Sequence, residues 1–506
     1  MTERRLNALL IRTLIVVHRW LGVSLCVVFL LWFPSGIGMM YWRFPSVTEA
    51  DRLARSPALD PATVTVTPAQ AAATADMVDV SPADLRLTTV DGRPAYRFLG
   101  GAVTVYADTG DLQGEVTHDL VRRVASAWTG QPIGTATAEQ VREVDQWTIQ
   151  TPLLDLQPVW KFSWPNGEEV YVSGATGDVV QYTTTASRIG AYVGPITHWV
   201  YFTPIRTRPW WITFMIWSSG IGTIAAILGV VIGAWMYSPS KPYRHNGTPA
   251  AIPYRGQKRW HTVLGLVFGV ATATWAFSGM LSLDPFPGLD RGPGRRGLPP
   301  ELTPALRGTV QMSDFAGVHP RDVLPRVGTA VKELEFTSFD GRPLLAAHVG
   351  DGPRRMLALD GTPLQTFGRD AITRLVKAAV ASPDALETRL VTQYDRYYRD
   401  RTRRQPLPVL LLRLHDAEDT RYYVDPATAD VVGGYSSRNW VGRWLYNGLH
   451  SLDFPWLYNY RPLWDIVVIA FMLGGTALCV TSIVLAWRVV GRTLARPFRS
   501  VAAPPG

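Results

Sequence analysis

The stretch "WWITFMIWSSGIGTIAAILGVVIGAWMY", residues 210–237, carries no charged side chain. A run of ~20 apolar residues is long enough to cross a hydrocarbon core as a helix, where every backbone polar group is bonded within the segment. Three further runs of the same character cover residues 14–40, 260–283 and 463–487. The chain therefore reads as a membrane α-helical bundle of four spans. The predicted order is an N-terminus and first helix (1–42), an exported domain (43–205), a second helix (206–238), a basic connector (239–259), a third helix (260–283), a second exported domain (284–462), a fourth helix (463–487) and a basic tail (488–506). The first run is too long for a secretory leader and no small-residue cleavage site follows it, so it reads as a retained anchor.

Charge sets the expected orientation. Arg4, Arg5 and Arg12 precede the first run. The connector carries Lys241, Arg244, Arg255, Lys258 and Arg259, and the tail Arg488, Arg492, Arg496 and Arg499, both without an acid. Short basic flanks stay on the cytoplasmic side, so both termini are expected there and both large domains outside. The net charge of +9 then reports topology and is no argument for a nucleic-acid partner. The two cysteines, Cys26 and Cys479, lie in apolar runs and read as packing residues. They are too few for a disulfide framework, a four-thiolate metal site or a covalent haem attachment motif.

The chain reads as one unit of roughly 245 residues written twice. "HRWLGVSLCVVFLLWFPSG" from His18 aligns without a gap on "HTVLGLVFGVATATWAFSG" from His261, matching Gly22 with Gly265, Trp32 with Trp275, Ser35 with Ser278 and Gly36 with Gly279. "YVSGATGDVVQY" at 171 aligns on "YVDPATADVVGG" at 423, and that register carries His198 onto His450. Two spans per unit return the chain to its starting side, so the copies are expected to share one orientation about a pseudo-two-fold axis along the membrane normal. Equivalent residues then lie at equal depth. Alternating strand patterns around Gly/Asp turns, with helical stretches such as "TPAQAAATAD" and "GRDAITRLVKAAVAS", predict an α+β module in each exported segment. "DRGPGRRGLPPEL" at 290–302 reads as a linker.

Of nine histidines, His118, His245, His319, His348 and His415 have no histidine at the duplicated position and read as ordinary surface or packing residues. The other four form two equivalent pairs. His18 and His261 lie near the basic ends of the first and third runs; His198 and His450 approach the second and fourth from the other side. A lone interfacial histidine commonly snorkels or caps a helix. Histidines at matched positions and two depths predict instead that each pair presents two imidazoles to one metal. Two imidazoles with no carboxylate or thiol nearby suit an iron whose other four ligands come from a porphyrin, so one or two bis-histidine b-type haems are expected. Gly22 and Gly265, four residues beyond His18 and His261, leave room on the same helix face for a flat macrocycle, although such glycines also serve close helix packing. Arg19, Arg259, Arg208 and Arg461 stand where propionates would need cations, and arginine at a membrane edge is also an anchor.

These motifs carry a resemblance. "HRWLG" at 18, "VDQWT" at 144, "VYVSGATGDVV" at 170, "THWVYFTP" at 197, "PYRGQKRWHTVLGLVFG" at 253, "FSGMLSLDPF" at 277 and "YYVDPATADVVGG" at 422 resemble the PepSY-associated transmembrane helix family of bacterial inner-membrane proteins, over nearly the whole chain. The resemblance implies periplasmic PepSY-like domains and a haem-bearing reductase of ferric siderophores, with His18, His261, His198 and His450 as ligands. The third-helix motif of that family often has two adjacent histidines; here Thr262 follows His261. No Gly-rich nucleotide motif follows a strand, so electrons are expected from an external donor, a quinol or a cytoplasmic reductase.

The leading expectation is thus a transmembrane electron conduit to an iron chelate. Asp145, Gln146, Trp147, Asp395, Tyr397 and Tyr398 occupy equivalent places and could form a docking surface for that chelate, with a structural turn as the plainer reading. The alternative is a non-enzymatic membrane protein whose exported domains regulate a peptidase or sense a ligand. A transporter would carry broken helices and polar midplane residues, and these runs are nearly free of midplane charge.

Overall fold

A computed structural model describes residues 3–150, 156–240, 243–285, 302–350, 352–380 and 383–500. The described residues form two compact units. One comprises residues 1–44, 189–297 and 438–506, the other 45–188 and 298–437. The expected linker at 290–302 lies almost wholly outside the described residues.

The first unit is helical. Its long helices are α1 (Glu3–Tyr41), α2 (Trp211–Met236), α3 (Gly256–Leu281) and α4 (Leu463–Ser500). All four are long and apolar enough to cross a membrane, which marks a multi-pass membrane protein. α1 packs on α2 and α4, and α3 packs on the same two, so α1 and α3 face each other across the bundle. Without a hydrophobic drive between helices in lipid, close packing decides the fit, and small residues admit large ones. Phe33 fills the notch left by Gly475, and Phe268 that left by Gly474. Two irregular segments belong to this unit although the sequence assigns them to exported domains. Tyr192–Ile196 and Val441–Gly448 are π-helical, and each runs into a short helix (Thr197–Trp199, Leu449–Ser451). Each short helix ends on a left-handed residue, Val200 (φ 53°) or Leu452 (φ 48°). A β-branched valine rarely adopts that conformation, so tertiary bonds must hold it. Trp211 Nε1 donates to Val200 O (3.1 Å), and Trp464 Nε1 donates to Ser451 O (3.0 Å).

The second unit is built from strands, apart from the connector hairpin, which belongs to the helical unit. In chain order they are β1 (Leu85–Val90), β2 (Arg93–Phe98), β3 (Val103–Tyr106), β4 (Thr137–Val141), β5 (Val159–Ser163), β6 (Glu169–Ser173) and β7 (Val179–Thr183). The connector hairpin is β8 (Tyr243–His245) and β9 (Thr248–Ala250). Then follow β10 (Glu333–Phe339), β11 (Arg342–His348), β12 (Arg355–Leu357), β13 (Leu386–Val391), β14 (Val409–Leu414), β15 (Arg421–Asp425) and β16 (Asp430–Tyr435). β4 to β7 and β13 to β16 are antiparallel meanders. Helix His118–Thr129 buries Val121 and Ala125 on the first, and Arg369–Ala379 buries Ile372 and Val376 on the second. Both meanders carry an irregularity at the same place, between Tyr171 and Val172 and between Tyr423 and Val424.

The expectation of two separate exported domains does not hold. β1 pairs antiparallel with β10, Arg86 opposite Glu335 and Leu87 opposite Leu334, giving one six-stranded sheet in the order β12-β11-β10-β1-β2-β3. Either three-stranded piece alone would leave a bare edge of unpaired amides and carbonyls; joining them satisfies both edges at once. Buried Arg97 on β2 binds Asp178, and Arg307 and Arg354 bind Asp430, so each meander is pinned through the aspartate of its "DVV" motif.

Candidate functional site: two facing histidine pairs

The helical unit brings together both pairs expected from the sequence. His18 on α1 and His261 on α3 face each other across the bundle with ring centroids 6.1 Å apart. His198 and His450, each in a short helix after a π-helical turn, have centroids 6.0 Å apart. With a metal–nitrogen bond of about 2 Å, two imidazoles on opposite sides of one metal have centroids roughly 6 Å apart. Both separations therefore suit shared ligation.

Hydrogen bonding selects the same nitrogen in all four rings. His18 Nδ1 bonds Ala225 O (2.9 Å), and His261 Nδ1 bonds Thr481 Oγ1 (3.2 Å) and Ser482 Oγ (3.4 Å). His198 Nδ1 bonds Trp32 O and Ser35 Oγ (both 3.2 Å), and His450 Nδ1 bonds Ser278 Oγ (3.1 Å). The Ser278 hydroxyl is itself engaged, donating to Trp275 O (3.1 Å), which leaves its lone pairs to receive Nδ1–H. Fixing Nδ1 as the protonated nitrogen leaves Nε2 as the ligand nitrogen. His198 and His450 lie outside the spanning segments. Burial pushes the His198 imidazole down to about 3, helped by the neighbouring His450, and pushes His450 down to about 4. Both rings are thus neutral at neutral pH, the form that binds metals.

The surroundings of the two pairs differ. Beside His18 and His261 lies a cavity of about 450 Å³, lined by both rings, Arg19, Gly22, Gly265 and Cys479 among others. A Cβ at Gly22 would meet nothing within 4 Å, and one at Gly265 only Leu478 at 3.9 Å, so these glycines border open space. Gly229 has a different duty, because a Cβ there would stand 2.8 Å from His18 Cε1. At the other pair the glycines touch the rings: a Cβ would lie 3.7 Å from His198 Cε1 at Gly36 and 3.4 Å from His450 Cε1 at Gly279. Tyr446 stacks on His450 at 5.4 Å. Among the described residues, either pair offers a bare ion only two protein ligands. A metal already held by the four nitrogens of a cofactor ring would need two more, which either pair could supply.

The predicted arginines divide. Arg19 lines the cavity, whereas Arg259 does not. Arg208 is exposed and its Nε donates to Pro204 O (3.2 Å). Arg461 is tied to Asp465 one turn on, with Nε to Oδ2 at 2.6 Å, so its charge is already matched. The sequence reading missed Lys258, Arg488 and Arg492, which line the cavity instead of Arg259. For Arg492 the signal was helical spacing, since Ser482, Leu485, Val489 and Arg492 share one face of α4 and all line the cavity. Ser35 and Ser278 were visible as matched positions without an assigned role.

The candidate docking residues serve turns. Asp145 accepts from the amides of Trp147 (3.0 Å) and Thr148 (2.9 Å) and from Tyr171 OH (2.7 Å). Asp395 accepts from the amides of Tyr397 and Tyr398 (both 2.7 Å) and from Tyr423 OH (3.0 Å). Trp147 and Tyr398 are buried, and Tyr397 packs on Tyr435 with centroids 4.0 Å apart. The carboxylates hold each turn against a tyrosine of the meander, the plainer of the two readings. Glu49, Glu335 and His348 also cluster in the sheet unit. There Nδ1 of His348 faces Glu49 at 3.5 Å, Nε2 faces Glu335 at 3.0 Å, and Glu335 also binds Arg354 at 2.7 Å. Each ring nitrogen addresses a different acid, and Arg354 matches part of their charge.

Compared with known proteins, the chain matches no family model and none of the curated proteins.

Proposed function

We propose that this protein is a bacterial inner-membrane electron-transfer protein that carries b-type haem between His18 and His261 and between His198 and His450 and reduces ferric chelates, of the siderophore kind, in the periplasm. The observation that carries the reading is the recurrence of one geometry: two imidazole pairs with centroids 6.0 and 6.1 Å apart, every ring fixed through Nδ1. The resemblance to the PepSY-associated transmembrane helix family supports it, with the sheet segments as its PepSY-like part. The matching order of elements in the two halves supports a tandem duplication. The basic flanks support cytoplasmic termini and periplasmic sheet segments.

Bound haem supplies a one-electron couple at neutral pH. The chain's own work is to hold and insulate it. Ala225 O, Trp32 O and the hydroxyls of Thr481, Ser35 and Ser278 fix the imidazoles, which orients Nε2 and raises its basicity. The buried cluster containing Phe33, Trp275, Met472 and Cys479 keeps water out of the bundle. It reaches from Cys479 on the cavity wall to Met472, whose Sδ lies 3.0 Å from a Cβ position at Gly36 near His198. One electron delivered to a ferric chelate gives the ferrous form, a softer and less charged ion that hard oxygen ligands hold more loosely. The electron comes from an external donor, a quinol or a cytoplasmic reductase. A peptidase-regulating role would leave the facing imidazoles without a purpose.

The test is a visible spectrum of the detergent-purified chain, expressed with haem available, before and after dithionite. The reading expects a bis-imidazole b-type spectrum that is diminished in His18→Ala and in His450→Ala. A colourless, folded preparation would sink it.

A further inference from the structure

The cavity beside His18 and His261 has apolar walls and a charged rim of one sign. Arg19 comes from α1, Lys258 from the first turn of α3, and Arg488 and Arg492 from successive turns of α4. No carboxylate is among the residues lining the cavity. None of the four cations has an ion-pair partner among the described residues, whereas Arg461 on the same chain is paired with Asp465. Cations from three separate helices converging on one cavity without counter-charge repel one another, and an anionic ligand relieves that repulsion.

We infer that Arg488 and Arg492, with Arg19 and Lys258, form a carboxylate cradle that receives the two propionates of a porphyrin at the α1 N-terminal end of the bundle. This rests on the proposed haem ligation and names residues that ligation alone does not require. Arg488 and Arg492 are four apart and so point from one face of α4. Guanidinium groups suit carboxylates because they offer paired N–H donors. The glycine floor of Gly22 and Gly265 admits the flat ring, and the rim fixes which edge of it faces outward. Anionic lipid headgroups offer related charge, and the experiment separates the two.

The full-length chain is prepared without haem in a His198→Ala/His450→Ala background, so that only the His18–His261 site is read. Haemin and haemin dimethyl ester, which lacks free carboxylates, are titrated into it by absorbance. Haemin should bind at least about tenfold more tightly than the ester, the scale of charge-assisted hydrogen bonds lost at a shielded site. R488Q/R492Q should close that gap by weakening haemin and leaving the ester unchanged, and R488K/R492K should restore part of it. Equal binding of both porphyrins to the chain without arginine substitutions would overturn the inference. So would a gap that survives R488Q/R492Q, or equal weakening of both porphyrins in that variant. Loss of co-purifying phosphatidylglycerol in R488Q/R492Q with the gap intact would assign the cations to lipid and also overturn it. If the chain binds neither porphyrin, the haem reading itself fails, an outcome distinct from all of these.

Discussion

The two histidine pairs reach one ring separation by different means. His18 and His261 sit on the long helices, so their positions follow from how α1 and α3 face across the bundle. His198 and His450 sit on three-residue helices between a π-helical turn and a left-handed residue, held by indole bonds and by hydroxyls on α1 and α3. The first pair borders an open cavity with uncompensated cations; at the second, Gly36 and Gly279 lie against the rings. Two different local structures bring the rings to one separation, as the proposed shared ligation requires.

The largest expected effects come from the proposed ligands. His18→Ala and His261→Ala should each abolish haem at the first site, and His198→Ala and His450→Ala at the second, so pyridine haemochrome stoichiometry should fall by about half in every single variant of a two-site protein. A variant that loses all haem would break the separation of the two sites.

Gly22→Leu should be nearly as severe and more selective. Its Cβ meets nothing within 4 Å, so the chain accommodates it, and helix propensity should raise apoprotein stability by roughly 0.5–1 kcal/mol. The side chain would occupy the cavity and displace haem from the first site only. Gly229→Val reaches the same site from the ligand's side, by pushing on His18 Cε1 at 2.8 Å. Stoichiometry and thermal melts of the two variants, compared, separate a filled cavity from a displaced ligand.

Ser35→Ala and Ser278→Ala should act on the second pair alone. Each removes one hydrogen bond to Nδ1, worth about 0.5–1.5 kcal/mol. A potentiometric titration should show the midpoint of one haem moving while the other stays, and movement of both would count against the assignment.

The smallest effect is a control in the sheet unit. Burial would raise the Glu335 carboxyl, but the hydrogen bond and charge of His348 and the charge of Arg354 outweigh it and hold the carboxyl down to about 2. A depressed acid stabilises the fold above its ordinary value of 4.5 and loses that contribution as pH falls towards 2. Lowering pH from 5 to 3 should therefore lower the melting temperature of the wild type, and Glu335→Gln should flatten that dependence without altering the haem spectrum at neutral pH.

Much of the helical unit was legible because its signals are local. Runs of apolar residues specify long helices whatever surrounds them, and the aligned "FPSG" and "AFSG" segments already set Ser35 and Ser278 at one level. The cation rim was only partly legible. Arg19 lies next to a ligand in sequence, whereas Arg488 and Arg492 lie beyond the fourth apolar run and reach the cavity because α4 continues as helix past it. Asp145 and Asp395 left two readings open in the sequence because a turn aspartate and a docking aspartate are spelled alike. The tyrosines that claim them, Tyr171 and Tyr423, lie more than twenty residues away.

By itself the sequence determined the four helices and the α+β content of the segments between them, because hydropathy and strand alternation are carried by neighbouring residues. Only the tertiary structure decided that the two sheet pieces close on each other at β1 and β10, that the imidazoles of each pair meet at 6 Å, and which cations ring the cavity. Those outcomes depend on groups hundreds of residues apart. Backbone edges pair, helices settle into glycine notches and charges converge only when the whole chain has packed.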